Sequence, residues 1–379
     1  MKLLLSIFVS LFIFLFPKKI NRFFGRDVDF AFVANLRDME DIINRPFPEK
    51  ILATLYIKYF RFRWPFIITS VGGLKSCSGK KILGLVIICP LTAKQIVEDR
   101  KFAFNMIVKC IRLAEKVNAK SVNLAAFTSI VTNDGFGLNG KTSLRLTTGN
   151  TYSAYIAVQN VTELCRAVGL DLNKAKVAVV GAAGSVGSGC VKYLLDKVSD
   201  LILIDINWNE LCKLESQVKS QLLKSRIKIS ENIAEIAGSD VIISATSALS
   251  RIIKDEYLKK GAIVIDAAHP RNVSKRIIKE RSDVLVIHSA IAKVSGVQVN
   301  FDIGLAKEEV YGCLAESIIM AWLEKLPDNR YLGKVDAGLM IELAKVAPLA
   351  GVKLAPFRNA LGPVTDENIK FANQLRSTV

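Results

Sequence analysis

The sequence predicts an α/β protein centred on a Rossmann-type, doubly wound parallel sheet, with a smaller α/β domain before it and a helical C-terminal segment after it. Three observations carry this. The apolar run Val177–Val180 breaks into a glycine loop, Gly181-Ala-Ala-Gly184-Ser-Val-Gly187, and a helix-like segment follows. A second apolar run ends on an acid, Asp205, about 20 residues beyond the loop, the spacing of a strand–loop–helix–strand unit. Upstream, a continuous apolar run over 81–89 ends at Pro90 and opens a further unit of the same kind. The chain therefore divides into a hydrophobic and basic segment over 1–28, an N-terminal α/β substrate domain over 29–148, the Rossmann domain over 149–303 and a helical segment over 304–379.

A chain of 379 residues is too long for one ordinary core, and 51% hydrophobic against 23% charged residues excludes a disordered chain. Lys and Arg number 52 against 35 Asp and Glu, a net charge of +17, which implies an acidic partner. No zinc spacing, RNA-binding signature or basic repeat accompanies that charge, so nucleic acid is not expected. The seven cysteines are odd in number and form no CxxC pair, so they read as reduced thiols and not as a disulfide framework or a metal site.

Leu3–Phe16 is apolar apart from two serines and is followed by Pro17 and the cluster Lys18, Lys19, Arg22, Arg26. As a helix, about 14 residues span ~21 Å, less than the ~30 Å hydrocarbon core. No A-x-A-like cleavage site precedes the basic cluster, and the heavier positive charge lies on its C-terminal side. The expectation is a short uncleaved anchor or an in-plane helix on an anionic membrane surface, with the rest of the chain cytoplasmic. The basic-aromatic stretch Tyr56–Pro65 reads either as a second contact with that surface or as a partly buried strand.

In order, the run over 81–89 is a strand, and Thr92-Ala-Lys-Gln95 is a capping box opening a helix to about Val117. Ser121–Phe127 is the next strand, Asn133–Lys141 a glycine- and asparagine-rich loop, and Tyr152–Val168 an apolar-periodic helix. After Asp205 come a polar helix and three strands, over 240–245, 262–267 and 283–287. The tail holds helices over 307–326 and 335–350, separated at Pro327 and Asp328.

Ligands of such a sheet bind beyond the C-terminal strand ends. Gly181 permits the tight turn, Gly184 lets the backbone approach a pyrophosphate, and Gly187 lets the helix sit close. The N–H groups that open the helix, at Ser185 and Val186, would face the phosphates of a nicotinamide dinucleotide. Asp205 would bond a ribose 2′-OH and repel a 2′-phosphate, favouring NADH over NADPH. Thr246 sits at a strand end on the same side, and Thr148 and Asn150 precede the helix leading into the Rossmann strand. The chain has two histidines, His269 and His288, and His269 is the acid–base candidate. Among the cysteines, Cys313 stands apart because Gly312 before it leaves room for a large group to approach the thiol. No metal site is expected.

Five segments together resemble the long-chain acyl-[acyl-carrier-protein] reductases of the cyanobacterial type. They are Ala126-Phe-Thr-Ser-Ile130, Leu146-Thr-Thr-Gly-Asn-Thr-Tyr-Ser-Ala-Tyr155, Val177–Gly187, Ile265-Asp-Ala-Ala-His-Pro-Arg-Asn272, and Phe301-Asp-Ile with Tyr311-Gly-Cys-Leu-Ala-Glu316. They run in order between about Asp29 and about Phe357, with the 1–28 extension additional. The resemblance implies reduction of an acyl thioester to a fatty aldehyde by NAD(P)H, with Cys313 as nucleophile and an acidic acyl carrier protein or acyl-CoA as the donor. Thr128, Ser129 or the backbone over 148–150 would then supply oxyanion donors. The chain departs from the family pattern in carrying Asp205 near where an arginine serves NADPH, His269 for a tyrosine, and Ser289 and Ala290 for glycines. Two other readings remain open: an NAD-dependent dehydrogenase of a small amino or hydroxy acid with Cys313 structural, and a non-catalytic nucleotide-binding protein docked at the membrane.

Overall fold

The computed structural model describes residues 27–36, 64–219 and 224–377. The hydrophobic run and basic cluster, within residues 1–26, and the stretch over 56–63 lie outside these. Among the described residues no helix is long and apolar enough to cross a membrane. The chain forms two compact units: the first takes 1–149, 294–333 and 346–352, the second 150–293, 334–345 and 353–379. The tail after residue 303 is therefore shared between the units, and its elements are described with the unit that holds them.

The first unit is built on β1 (Phe30–Leu36), β2 (Phe66–Gly72), β3 (Gly84–Thr92), β4 (Ser121–Leu124) and β5 (Arg145–Thr147). Its sheet runs in the order Gln298–Val299, β2, β3, β1, β4, β5. The last four are parallel, and β2 joins β3 antiparallel. Every residue of β3 is buried, which is why its sequence is a continuous apolar run without alternation. Pro90 lies inside this strand and does not end it. The register with β1 shifts between Asn35, opposite Cys89, and Leu36, opposite Thr92, so the proline occupies an irregularity where its missing N–H is tolerated.

Helix α1 (Ala93–Glu98) opens on the expected capping box. Gln95 N–H donates to Thr92 Oγ1 at 3.3 Å, and Thr92 N–H donates to Gln95 Oε1 at 3.1 Å. The single helix expected to about Val117 is two, because Asp99 interrupts it and caps α2 (Arg100–Lys116) by accepting from Phe102 N–H at 3.0 Å. The apolar face of α2, including Met106, Ile107, Cys110 and Leu113, packs with Leu85 and Ile87 of β3 and Val122 of β4 into one core. The strand expected over 121–127 stops at Leu124, since Ala126 adopts φ 53 and turns the chain into the short helix α3 (Phe127–Val131).

The second unit has β6 (Lys176–Val180), β7 (Asp200–Ile204), β8 (Arg226–Ser230), β9 (Val241–Ser244), β10 (Ile263–Asp266) and β11 (Leu285–His288), all parallel, in the order β11, β10, β9, β6, β7, β8. This is the doubly wound sheet the sequence predicts, with the order reversing between β6 and β9. Helices α4 (Asn150–Ala167) and α5 (Ser185–Leu194) cover one face, where Val177, Val179, Leu201 and Leu203 point. Ala178, Val180, Ile202 and Ile204 point to the other and pack with Ile277 and Ile278 of α7 (Lys275–Glu280), while α6 (Trp208–Lys219) links β7 to β8. Strand β8 has no counterpart in the sequence reading. Its residues, Arg-Ile-Lys-Ile-Ser, lie at the sheet edge with none fully buried, so its composition reads as coil.

The helix expected from 307 begins later. Glu309–Tyr311 is a strand with Val310 buried, and α8 (Gly312–Trp322) starts at the glycine. That shift moves Cys313 from a helix interior to a helix start. The α1 cap tests the local account: Thr92→Ala should lower stability by about 1 kcal/mol, read as a reduced denaturation midpoint in urea.

Candidate active site

Cys313 is the second residue of α8 and is half-buried. Tyr311 stands at the N-cap, and no side-chain cap closes the helix, so its first N–H groups are directed at whatever the first turn holds. Two of them, from Cys313 itself and Leu314, point to the thiol and favour its ionised form. Burial outweighs them and pushes the thiol up to about 12, with the charge of Glu316 acting in the same direction.

Gly149 packs directly on Cys313. A side-chain carbon added to Gly149 would lie 2.3 Å from Cys313 Cβ and 2.4 Å from its Cα, and the glycine's φ of 69 also excludes most residues. Asn123, the one polar-amide residue of β4, is fully buried and ties that strand to α8. Its Nδ2 donates to Cys313 carbonyl at 2.8 Å and to Ser317 Oγ at 2.9 Å. Among the described residues its Oδ1 has no partner. One turn after Cys313, the carboxylate of Glu316 is completely buried and accepts from Thr147 Oγ1, which in turn accepts from Gly149 N–H at 3.2 Å. The first unit thus gathers Cys313, Gly149, Thr147, Glu316 and Asn123.

The other expected residues of this unit have defined places. Thr128 is fully buried, and its hydroxyl donates to Ala125 carbonyl at 2.7 Å; that of Ser129 donates to Ala126 carbonyl at 2.8 Å. Both hydroxyls therefore cap the turn after β4 with their proton, which leaves them holding backbone rather than offering a donor. Thr148 is buried and donates to Tyr331 carbonyl at 3.2 Å, and Asn150 opens α4. Sequence reasoning passed over Asn123 and quoted Thr147 and Glu316 only as members of their segments, without a role of their own. The signal for the last was present: Glu316 is the only charged residue in the apolar stretch Gly-Cys-Leu-Ala-Glu-Ser-Ile-Ile-Met-Ala-Trp of α8.

In the second unit the glycine loop follows β6 at the reversal of strand order. Gly181 has φ 81, and a side chain on Gly187 would meet Gly181 carbonyl at 2.0 Å. Gly184 brings no side chain to the N-cap of α5, so the N–H groups at Ser185 and Val186 open onto the loop. Asp205 follows β7 directly, and its carboxylate accepts from Ala183 N–H at 2.9 Å and Asn207 N–H at 3.0 Å. It is thereby held against the glycine loop. Thr246 lies on the loop's other flank, where a side chain on Gly181 would meet Thr246 Cγ2 at 3.0 Å. Lys334, unremarked in the sequence, donates to Ala183 carbonyl and pairs with Glu210 at 3.7 Å. An uncapped helix start, a cradle that a single Cβ would fill, and a carboxylate at the second strand end are the features a dinucleotide requires, and these residues fit one.

The adjoining strand ends are braced from within. Asp266 is fully buried at the end of β10 and accepts from the N–H groups of Ala268, Asn272 and Val273. Burial raises its carboxyl, against the opposing pull of Arg271 and those N–H groups. Asn272 Oδ1 accepts from Ser244 Oγ and Thr246 Oγ1, each at 2.7 Å. His269 is exposed on the loop that this network shapes. His288 ends β11, and burial, then Arg271 and other cations, push it down to about 3, so it is neutral. Among the described residues no cluster of His, Cys, Asp and Glu could hold a metal.

Residues 163–288, most of the second unit's sheet, match the family model for shikimate/quinate 5-dehydrogenase. The chain is 25% identical over 293 residues to the aminotransferase PigE of Serratia sp. (strain ATCC 39006), covering 75% of this chain but only 34% of that protein. It is 27% identical over 260 residues to the long-chain acyl-[acyl-carrier-protein] reductase of Synechococcus elongatus (strain ATCC 33912 / PCC 7942 / FACHB-805), covering 65% and 74%. To the glutamyl-tRNA reductase of Thermosipho melanesiensis (strain DSM 12029 / CIP 104789 / BI429) it is 26% identical over 233 residues, covering 55% and 61%. With the sheet and its glycine loop, these likenesses support an oxidoreductase that uses a nicotinamide cofactor.

Two substitutions separate the two units. Gly187→Ala should abolish dinucleotide binding, measured by titration of NADH or NADPH fluorescence, because its Cβ cannot fit against Gly181. Gly149→Ala should leave that binding intact and slow alkylation of Cys313 by iodoacetamide, followed by mass spectrometry.

Proposed function

We propose that the chain reduces a long-chain acyl thioester to a fatty aldehyde, with Cys313 as the nucleophile that captures the acyl group. The observation that carries this reading is Cys313 itself, a half-buried thiol in the uncapped first turn of α8, packed against Gly149 and flanked by a buried carboxylate. The N–H groups of Cys313 and Leu314 favour the ionised thiol, which is the form a nucleophile needs. The 27% likeness to the acyl-[acyl-carrier-protein] reductase supports the same chemistry. The other open N–H groups of the first turn suit the oxyanion that forms as the thiolate adds to the carbonyl.

Residues of the glycine loop, Ser185, Val186 and Asp205 would hold the cofactor. When bound, the nicotinamide supplies the hydride that reduces the captured acyl group. Asp205, held at the end of β7 by two backbone N–H groups, would repel a 2′-phosphate bound there, which favours NADH. The donor is an acyl carrier protein or acyl-CoA, and a chain with a net charge of +17 suits either anionic carrier. The match of residues 163–288 to the shikimate/quinate dehydrogenase model favours a second reading, a dehydrogenase of a small hydroxy or amino acid in which Cys313 is structural.

Incubation with an acyl thioester in the absence of reductant, followed by intact mass measurement, distinguishes them. The acyl-transfer step should leave one acyl adduct on the wild-type chain and none on Cys313→Ala, with NADH binding equal in both. A Cys313→Ala chain that retains full dehydrogenase activity on a small hydroxy or amino acid overturns the thioester reading.

A further inference from the structure

One residue of the glycine loop is held by both of its backbone groups, and by opposite charges. Ala183 N–H donates to Asp205 Oδ2 at 2.9 Å, while Ala183 carbonyl accepts from Lys334 Nζ. Asp205, the expected partner of the ribose 2′-OH, and the ammonium of Lys334 are therefore anchored on the same loop residue. Lys334 also pairs with Glu210 Oε2 at 3.7 Å, and the other oxygen of that carboxylate accepts from Lys213 Nζ at 2.7 Å. Among the described residues, Glu210 is the carboxylate that pairs with these two lysines. The turn after β7 fixes its place. Asp205 Oδ1 accepts from Asn207 N–H at 3.0 Å, and Asn207 Oδ1 accepts from Glu210 N–H at 3.3 Å as α6 begins. Glu210 thus lies in the first turn of that helix, three residues before Lys213, a spacing at which helix neighbours meet. Lys213 first, and Lys334 after it, hold its carboxyl below the usual range, so it is ionised at neutral pH. All of these residues belong to the second unit.

We infer that Lys334 is the cation available to a 2′-phosphate and that Glu210, by holding it, is a second determinant of the choice of NADH over NADPH. This rests on the nicotinamide reading of the glycine loop and not on the thioester reading. A 2′-phosphate brings about two negative charges to the ribose, where Asp205 already stands. Cations that can turn toward a phosphate would offset that repulsion. Lys334 is only half-buried and sits on the loop itself, but Glu210 competes for its ammonium and for that of Lys213. Asp205 repels the 2′-phosphate, and Glu210 withholds the charges that would compensate. With NADH, whose ribose carries only hydroxyls, both lysines stay with Glu210 and nothing is lost.

Titration of NADH and NADPH fluorescence on the full chain tests this without any turnover. Glu210→Gln keeps the size of the side chain and releases both ammoniums. It should tighten NADPH by about fivefold, the weight of one exposed charge contact, and move NADH by less than about twofold. Adding Lys334→Met should cancel most of that gain. The comparison is the NADPH-to-NADH affinity ratio of the double variant against that of Lys334→Met alone, so any weakening of the loop common to both dinucleotides drops out. A gain of equal size with and without Lys334 would make Glu210 a repelling charge only and overturn the inference. A Glu210→Gln chain with the wild-type ratio would overturn it too. The gain should also shrink as KCl rises from about 0.05 to about 0.5 M, and a gain indifferent to salt would count against a contact made by exposed charges. A wild type that prefers NADPH would sink the Asp205 preference, while the Glu210→Gln response still supports or overturns the inference. A wild type that binds neither dinucleotide would sink the cofactor reading and the inference with it.

Discussion

The approach of residue 149 to the first turn of α8 is the constraint on which the site depends. Gly149 must be a glycine twice over, for its φ of 69 and because Cys313 already occupies the space a Cβ would need. Close packing of two backbones sets the thiol against Thr147 and Gly149, and Asn123 fixes the same turn from the β4 side through the Cys313 carbonyl. A thiol held by backbone contacts keeps its place without giving up the conformational freedom of a long side chain. Asn123 Oδ1 beside the same turn is a buried polar atom with no partner among the described residues, which ordinary packing would avoid.

The second unit solves a similar problem with carboxylates. Asp205 and Asp266 each follow or end a strand, and each binds the backbone N–H groups of the loop next to it. Both loops therefore take their shape from an ionisable side chain. For Asp266 the surrounding N–H groups and Arg271 oppose the effect of burial, which raises its carboxyl. Asn272 then links β9 to this network through Ser244 and Thr246, so the row of strand ends is braced laterally.

The doubly wound sheet was legible in the sequence because buried parallel strands are continuous apolar runs and the glycine loop breaks one of them abruptly. Strand β8 was not, since an edge strand with Arg226 and Lys228 lacks that pattern. Capping chemistry was legible at Thr92 and hidden at Asp99, whose cap divides what reads as one periodic helix. At the site, Cys313 was legible from its neighbour Gly312, but its position at a helix start was not, because Glu309–Tyr311 carries no strand-like alternation long enough to read. Glu316 and Asn123 act through partners distant in sequence, Thr147 and the Cys313 carbonyl, and no local pattern announces such contacts.

The interleaving of the two units has a consequence for how such a chain can change over time. Membership passes from one unit to the other after residues 149, 293, 333, 345 and 352. A single genetic crossover exchanges everything on one side of a breakpoint, so it cannot replace either unit as a whole. Exchange of one unit alone needs several coordinated crossovers, and substitution within a unit, at residues such as Asp205 and His269 of the second, is the simpler route to change.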